Sequence, residues 1–126
     1  DLRDALDMVI DGNIHVLKKG GSVVKLLRGE AQPFVIRHLP EGALANATKI
    51  YKNLEGNIYF LVPDPAGPRV VIVTDGGTTG ESSYVKQDVL DDEQIGELTD
   101  LYVNEDESWL YVLDEKRIYK VDLGTK

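Results

Sequence analysis

Three stretches of this chain can be laid over one another, and that repetition constrains the fold more than any single residue. They are LDMVIDGNIHVLKKGGSVVKLL, TKIYKNLEGNIYFLVPDPAGPRVVIV and TDLYVNEDESWLYVLDEKRIYKVDL. Each begins with a short apolar strand, at residues 8–10, 50–51 and 101–103, and passes through a polar turn. A second strand follows, as Ile14-His15-Val16-Leu17, Ile58-Tyr59-Phe60-Leu61 and Leu110-Tyr111-Val112-Leu113, then a further turn and a third strand at 23–27, 70–73 and 118–123. In the first two units the first turn ends in Gly12-Asn13 and Gly56-Asn57, residues that accept the positive φ of a tight hairpin. The strands are rich in Val, Ile and Tyr, which suit a pleated and buried surface. Helical periodicity is nearly absent. Its best candidate, residues 89–98, has few apolar positions and is broken by Gly96, so at most a short turn of helix is expected there.

The second strand recurs at Ile14, Ile58 and Leu110, spacings near the roughly 40–50 residues of a propeller blade. A fourth, outer strand can be read at 33–39 and 83–89, after loops at 28–32 and 75–82, while the third unit offers none. The expected architecture is all-β, a single domain made of about three blades of a β-propeller. Blade 1 spans about 5–40, blade 2 about 46–90 and blade 3 about 97–123. The chain opens at Asp1, without an initiator methionine or a charged-then-apolar leader, so a processed product or an excised piece is expected. A last blade short of one strand is what a ring-closing propeller leaves at its C-terminal end, and the expectation is therefore the C-terminal half of a six-bladed ring.

The segments Asp11-Gly12-Asn13-Ile14-His15-Val16 and Gly56-Asn57-Ile58-Tyr59-Phe60 resemble the NHL-repeat branch of β-propellers, whose blades run from an apolar strand through Asp and Gly-Asn into an Ile-Tyr-Val strand. The same family places a polar turn and an Arg before a strand ending in Asp, a pattern matched by Asp64, Arg69 and Asp75 and again by Asp114, Arg117 and Asp122. The first unit departs from it with Ser22 where Arg would stand. The chain is also similar to propeller segments at the C-terminal end of large uncharacterised bacterial proteins, some of which begin with a metal-dependent protein phosphatase domain. Propellers host receptors, scaffolds, lactonases and RNA binders alike, so this resemblance implies a fold and leaves the activity open.

Charge and composition narrow the classes. With 22 acidic and 14 basic residues the net charge is −8, a balance that repels phosphate backbones and anionic membranes, so neither nucleic-acid binding nor membrane insertion is expected. No apolar run approaches the ~18 residues of a spanning helix, and a soluble domain, cytoplasmic or extracytoplasmic, is expected of a bacterial protein. There are no cysteines, which removes disulfides, thiolate catalysis and sulfur-ligated metal. The charge is unevenly placed: Lys18, Lys19, Lys25, Arg28 and Arg37 make the first unit locally basic, whereas residues 87–107 carry nine carboxylates and no Lys or Arg.

Candidate chemistry is sparse. His15 and His38, the two histidines, sit in expected strands with no nucleophile or carboxylate at motif spacing. DGGTTGESS, residues 75–83, lacks the Lys that a phosphate loop requires and reads as an inter-strand loop. DDEQIGE, residues 91–97, places Ile95 where a calcium loop needs an oxygen ligand. Trp109 and the six tyrosines read as packing between blades. The one convergent set is Asp7, Lys49 and Asp100, which fall at the same place in the three units, just before the strand that would line the central channel. They are the candidate ligand-binding rim. No catalytic residue, metal or cofactor is expected.

Blades bury each other's faces, so three of them leave two apolar faces to cover. The sequence therefore predicts a non-catalytic interaction or sensing module, whose partner is another protein or a second copy paired head to tail to complete six blades. Two alternatives remain open at this level: a fragment of a propeller hydrolase or lactonase, and a structural subunit that self-assembles into a closed ring.

Overall fold

The computed structural model describes residues 3–38, 42–54, 56–63, 70–74, 79–84 and 98–123. Those residues are all-β, with twelve strands and no helix. The first blade is the antiparallel meander β1 (Ala5–Ile10), β2 (Ile14–Lys18), β3 (Val23–Leu27) and β4 (Glu30–Gln32). The second is β6 (Lys49–Lys52), β7 (Ile58–Leu61), β8 (Val70–Val73) and β9 (Thr79–Tyr84), to whose outer edge β5 (Val35–Arg37) adds in parallel. The third is β10 (Asp100–Val103), β11 (Trp109–Leu113) and β12 (Ile118–Asp122). The innermost strands β1, β6 and β10 lie side by side, so the three sheets stack as successive blades.

Turn chemistry sets the hairpins. In the first, Gly12 takes φ +102°, and the Asp11 carboxylate accepts the Asn13 N–H at 3.1 Å. The third unit lacks Gly-Asn and builds the same turn differently. Asn104 Oδ1 accepts the Trp109 N–H at 2.8 Å, its Nδ2 donates to Asp106 and Ser108, and Glu107 takes the positive φ. In the turn between β11 and β12, Asp114 Oδ1 accepts the N–H groups of Lys116 and Arg117, at 2.8 and 2.7 Å. Different residues thus close equivalent hairpins, and the registers Ile10 opposite Ile14, Lys52 opposite Ile58 and Val103 opposite Leu110 place them at the same end of each blade.

Alternation along the strands decides which blade each side chain meets, because successive residues point to opposite faces of a sheet. In blade 2, the rows Ile50-Phe60-Val71 and Lys52-Ile58-Val73 turn toward blade 1, where Val9, Leu17 and Val23 meet them. Its opposite face, with Tyr51, Tyr59, Leu61, Val70 and Ile72, packs on Leu101, Val103, Leu110, Val112, Tyr119 and Val121 of blade 3. The leading faces of blades 2 and 3 therefore pack on the trailing faces of blades 1 and 2. Fully burying one such side chain is worth about 1.5–3 kcal/mol, so the two seams are where the fold is held.

The structure moves both outer strands from where the sequence places them. Residues 33–39 do not supply the fourth strand of blade 1. Arg28 and Gly29 both adopt positive φ, +54° and +83°, so a two-residue turn brings the chain back at Glu30, and pairing begins where a loop was expected. Pro33, which has no N–H to donate, follows this strand, and the chain crosses to blade 2 as β5. In blade 2 the outer strand is β9, so residues 79–83 of the expected glycine-rich loop are paired backbone. Gly80 allows it: a Cβ there would lie 2.4 Å from Val73 Cγ1 and 2.5 Å from the Thr74 carbonyl oxygen. Among the described residues blade 3 has three strands, the number expected. The expected helical turn at 89–98 falls, apart from Leu98, outside the described residues.

Candidate functional site

Asp7, Lys49 and Asp100 fall on adjacent strands at one register, each opposite a leucine of the second strand: Leu17, Leu61 and Leu113. The sequence alignment of the three is therefore a spatial row. The carboxylate of Asp7 is committed to backbone. Its Oδ1 accepts the Met8 N–H at 2.9 Å, and its Oδ2 crosses the seam to accept the Ile50 N–H of blade 2 at 3.0 Å. Asp100 Oδ1 accepts the Leu101 N–H at 2.9 Å and its side chain is exposed, while Lys49 is half-buried. Of the three, Asp7 alone ties one innermost strand to the next, and among the described residues no cluster of three His, Asp or Glu side chains could hold a metal ion.

Both seams carry buried polar contacts that sequence reasoning missed. In the first, Lys52 Nζ lies 2.6 Å from Asp11 Oδ2 and also donates to the carbonyls of Asn53 and Leu54. Burial alone would raise the Asp11 pKa. The hydrogen bonds from Lys52 and Asn13, with the lysine's charge, outweigh it and hold the carboxyl below its ordinary value. In the second seam Asn53 Nδ2 donates to the Asn104 carbonyl at 2.9 Å, and the Tyr51 hydroxyl reaches the Val103 carbonyl at 3.1 Å. Glu107 Oε1 accepts the Asn57 N–H at 2.8 Å and the Tyr59 hydroxyl at 2.9 Å. Burial, then the neighbouring Glu107 carboxylate, drives the Tyr59 phenol pKa upward. The available signal was a lysine and an aspartate at matching ends of two apolar strands, which no motif describes.

Beside that contact, Asn53, Leu54, Gly56, Glu105 and Glu107 line a cleft of about 470 Å³ at the turn end of blades 2 and 3. Its carboxylates give it an acidic wall, and Glu107 is already engaged by Asn57 and Tyr59.

The outer faces are different in kind. The leading face of blade 1 carries Met8, Val16 and Val24 in one row and Ile10, Ile14 and Leu26 in the next, all apolar. Met8 is 54% exposed and Ile10 62%. The trailing face of blade 3 carries Asp100, Leu113 and Ile118, then Tyr102, Tyr111 and Lys120. Tyr102 is 53% exposed and Ile118 72%, and this face holds a shallow cavity of about 170 Å³. Lys120 Nζ sits 4.0 Å from the Trp109 ring centroid, a cation–π contact that orders the edge of the patch. The expectation that Trp109 and the tyrosines pack between blades holds for Tyr51, Tyr59 and Tyr119. Tyr102 meets it in part: its ring lies edge-on to Tyr51 of blade 2 at 5.5 Å between centroids, while about half of it stays exposed because no described strand stacks on that side of blade 3. The side chain of Tyr84 lies outside the described residues.

Of the remaining candidates, His15 is buried edge-on to Phe34 at 5.5 Å between centroids, and His38 is an exposed residue with φ +60° that ends β5. Residues 75–78 and 91–97 lie outside the described residues. No helix among the described residues is long and apolar enough to cross a membrane. The sequence matches no family model, and neither curated proteins nor solved structures give a match.

Proposed function

We infer that this chain is a non-catalytic interaction module of propeller type, which binds protein through the outer faces of its first and third blades. The observation that carries this is a contrast between equivalent positions. Ile50 and Leu101 are buried in seams, whereas Met8, at the same place in blade 1, stands in solvent. Monomeric surfaces rarely leave contiguous apolar patches beyond a few hundred Å², and larger ones mark binding sites. The composition of the blade 3 face supports the same reading, since an exposed tyrosine and a half-buried tryptophan beside a basic group are what interface centres favour. Within the rim row, Asp7 contributes by fixing the stacking of blades 1 and 2, its carboxylate spent on the Met8 and Ile50 N–H groups.

A photo-reactive benzophenone residue placed at Met8 or at Ile118 tests the reading in the producing cell, with the exposed hairpin residue Lys116 as the control. Discrete protein adducts are expected at both face positions and none at the control. Faces that give no adduct at either position would defeat it.

A further inference from the structure

We propose that the protein that covers these faces is a second copy of this chain, docked head to tail so that two three-bladed arcs close one twofold ring. The inference rests on the interaction reading above and names its partner. Each seam inside the chain joins a trailing face to the leading face of the next blade. The two faces left over are one of each kind: a leading face on blade 1 and a trailing face on blade 3. A stack that ended in two leading faces could not continue itself. This one can, and a twofold operator that places blade 1 of one copy on blade 3 of the other buries both faces of both copies at once.

The register follows from the seam already formed. The row Asp7-Leu17-Val23 opposes the row Ile50-Phe60-Val71, as the hydrogen bond from the Ile50 N–H to Asp7 Oδ2 shows. By the same placement Asp100-Leu113-Ile118 opposes Met8-Val16-Val24 of the second copy, and Tyr102-Tyr111-Lys120 opposes its Ile10-Ile14-Leu26. Ile118 then meets Val24, Leu113 lies over Val16, which its own blade already buries to 3% exposure, and both tyrosines lie over isoleucines.

Analytical ultracentrifugation of the purified full chain across a dilution series tests this, and a charge exchange at Met8 and Asp100 tests the register. The wild-type chain is expected at about twice its 14.0 kDa mass. Met8→Asp sets a carboxylate opposite Asp100 and is expected to weaken the dimer at least tenfold, while circular dichroism stays that of the folded chain because Met8 is exposed. Asp100→Lys in the same chain restores an opposite-charge pair and is expected to recover most of that loss. A chain that stays monomeric through the series overturns the proposal, as does a dimer that Met8→Asp leaves intact or that Asp100→Lys fails to rescue. A monomer whose face positions still give adducts in the cell leaves the interaction reading standing with a different partner. A monomer without adducts removes both.

Discussion

Lys52 and Asp11 form an ion pair of 2.6 Å in the seam between the first two blades, with their side chains only 2% and 5% exposed. Lys52 belongs to no motif and Asp11 opens the Asp-Gly-Asn turn, and the pair sits where the strand ends of two blades meet, in surroundings that leave little room for water. At the aligned place in the next seam the chain uses Val103 and Asn53, whose contacts are a carbonyl and an amide. The repeat therefore conserves the packing geometry while the polar closure changes from seam to seam.

Lys52→Ala should cost about 3 kcal/mol in urea unfolding, because it leaves the Asp11 carboxylate buried and without its cation. Replacing both members, Lys52→Met with Asp11→Leu, should recover part of that loss, since an apolar pair is close to neutral against a buried ion pair while the turn bond from the Asn13 N–H to Asp11 is forfeited. A single-variant loss below about 1 kcal/mol would mean that water already screens the pair.

The same aspartate gives an acid limb to stability. Its folded pKa is held below the ordinary 3.8, so its contribution is complete above that value and is lost as pH falls through the lower, folded pKa. Thermal melts between pH 7 and pH 2.5 should therefore fall less steeply for Asp11→Asn than for the wild-type chain in the region below pH 3.8. Parallel curves for the two proteins would assign the acid limb to other carboxylates.

Tyr59 and Glu107 are the counterpart in the second seam. Tyr59→Phe removes a buried hydroxyl that donates to a carboxylate, a hydrogen bond of the charge-assisted kind, and should cost about 2 kcal/mol. On the alkaline side the sign reverses relative to Asp11. The tyrosine's pKa is raised, so its stabilisation is complete below the ordinary value of 10.0 and is lost as pH rises beyond it. The Phe variant should show a shallower loss of stability above pH 10. An unchanged alkaline limb would place the Tyr59 hydroxyl outside the interaction with Glu107.

Much of this architecture can be read in the chain because local signals and tertiary packing agree. Gly12-Asn13 marks a turn, Ile14 to Leu17 a strand, and the recurrence of both marks a blade. The outer strands escaped because their signals are weak or contradictory. Arg28 takes a left-handed conformation that arginine rarely adopts, and the run around Gly80 has the composition of a loop while its small residue permits the close approach of Val73. The rim residues Asp7, Lys49 and Asp100 were legible as a row from alignment alone. What the row holds was not, since the partner of Asp7 is a backbone N–H 43 residues away. The outer faces needed only strand alternation, once it was known which parity of residue faces which neighbour.

The join between blades 1 and 2 depends on one glycine more than on its neighbour. Gly20 and Gly21 both adopt positive φ, +93° and +95°, in the turn between β2 and β3. A Cβ on Gly20 would meet nothing within 4 Å, whereas one on Gly21 would lie 2.4 Å from the carbonyl oxygen of Leu44, backbone of the segment that leads into blade 2. Gly20→Ala should therefore cost about 1 kcal/mol, the backbone strain alone. Gly21→Ala carries the same strain and must also push Leu44 out of the core it shares with Leu17 and Phe60, so a further loss of about 2 kcal/mol is expected, by analogy with overpacking. Denaturant titrations of the two variants side by side check this, because the shared turn cancels and the difference reports the contact with Leu44. Equal losses would show that the turn and the Leu44 segment are not held against each other in solution.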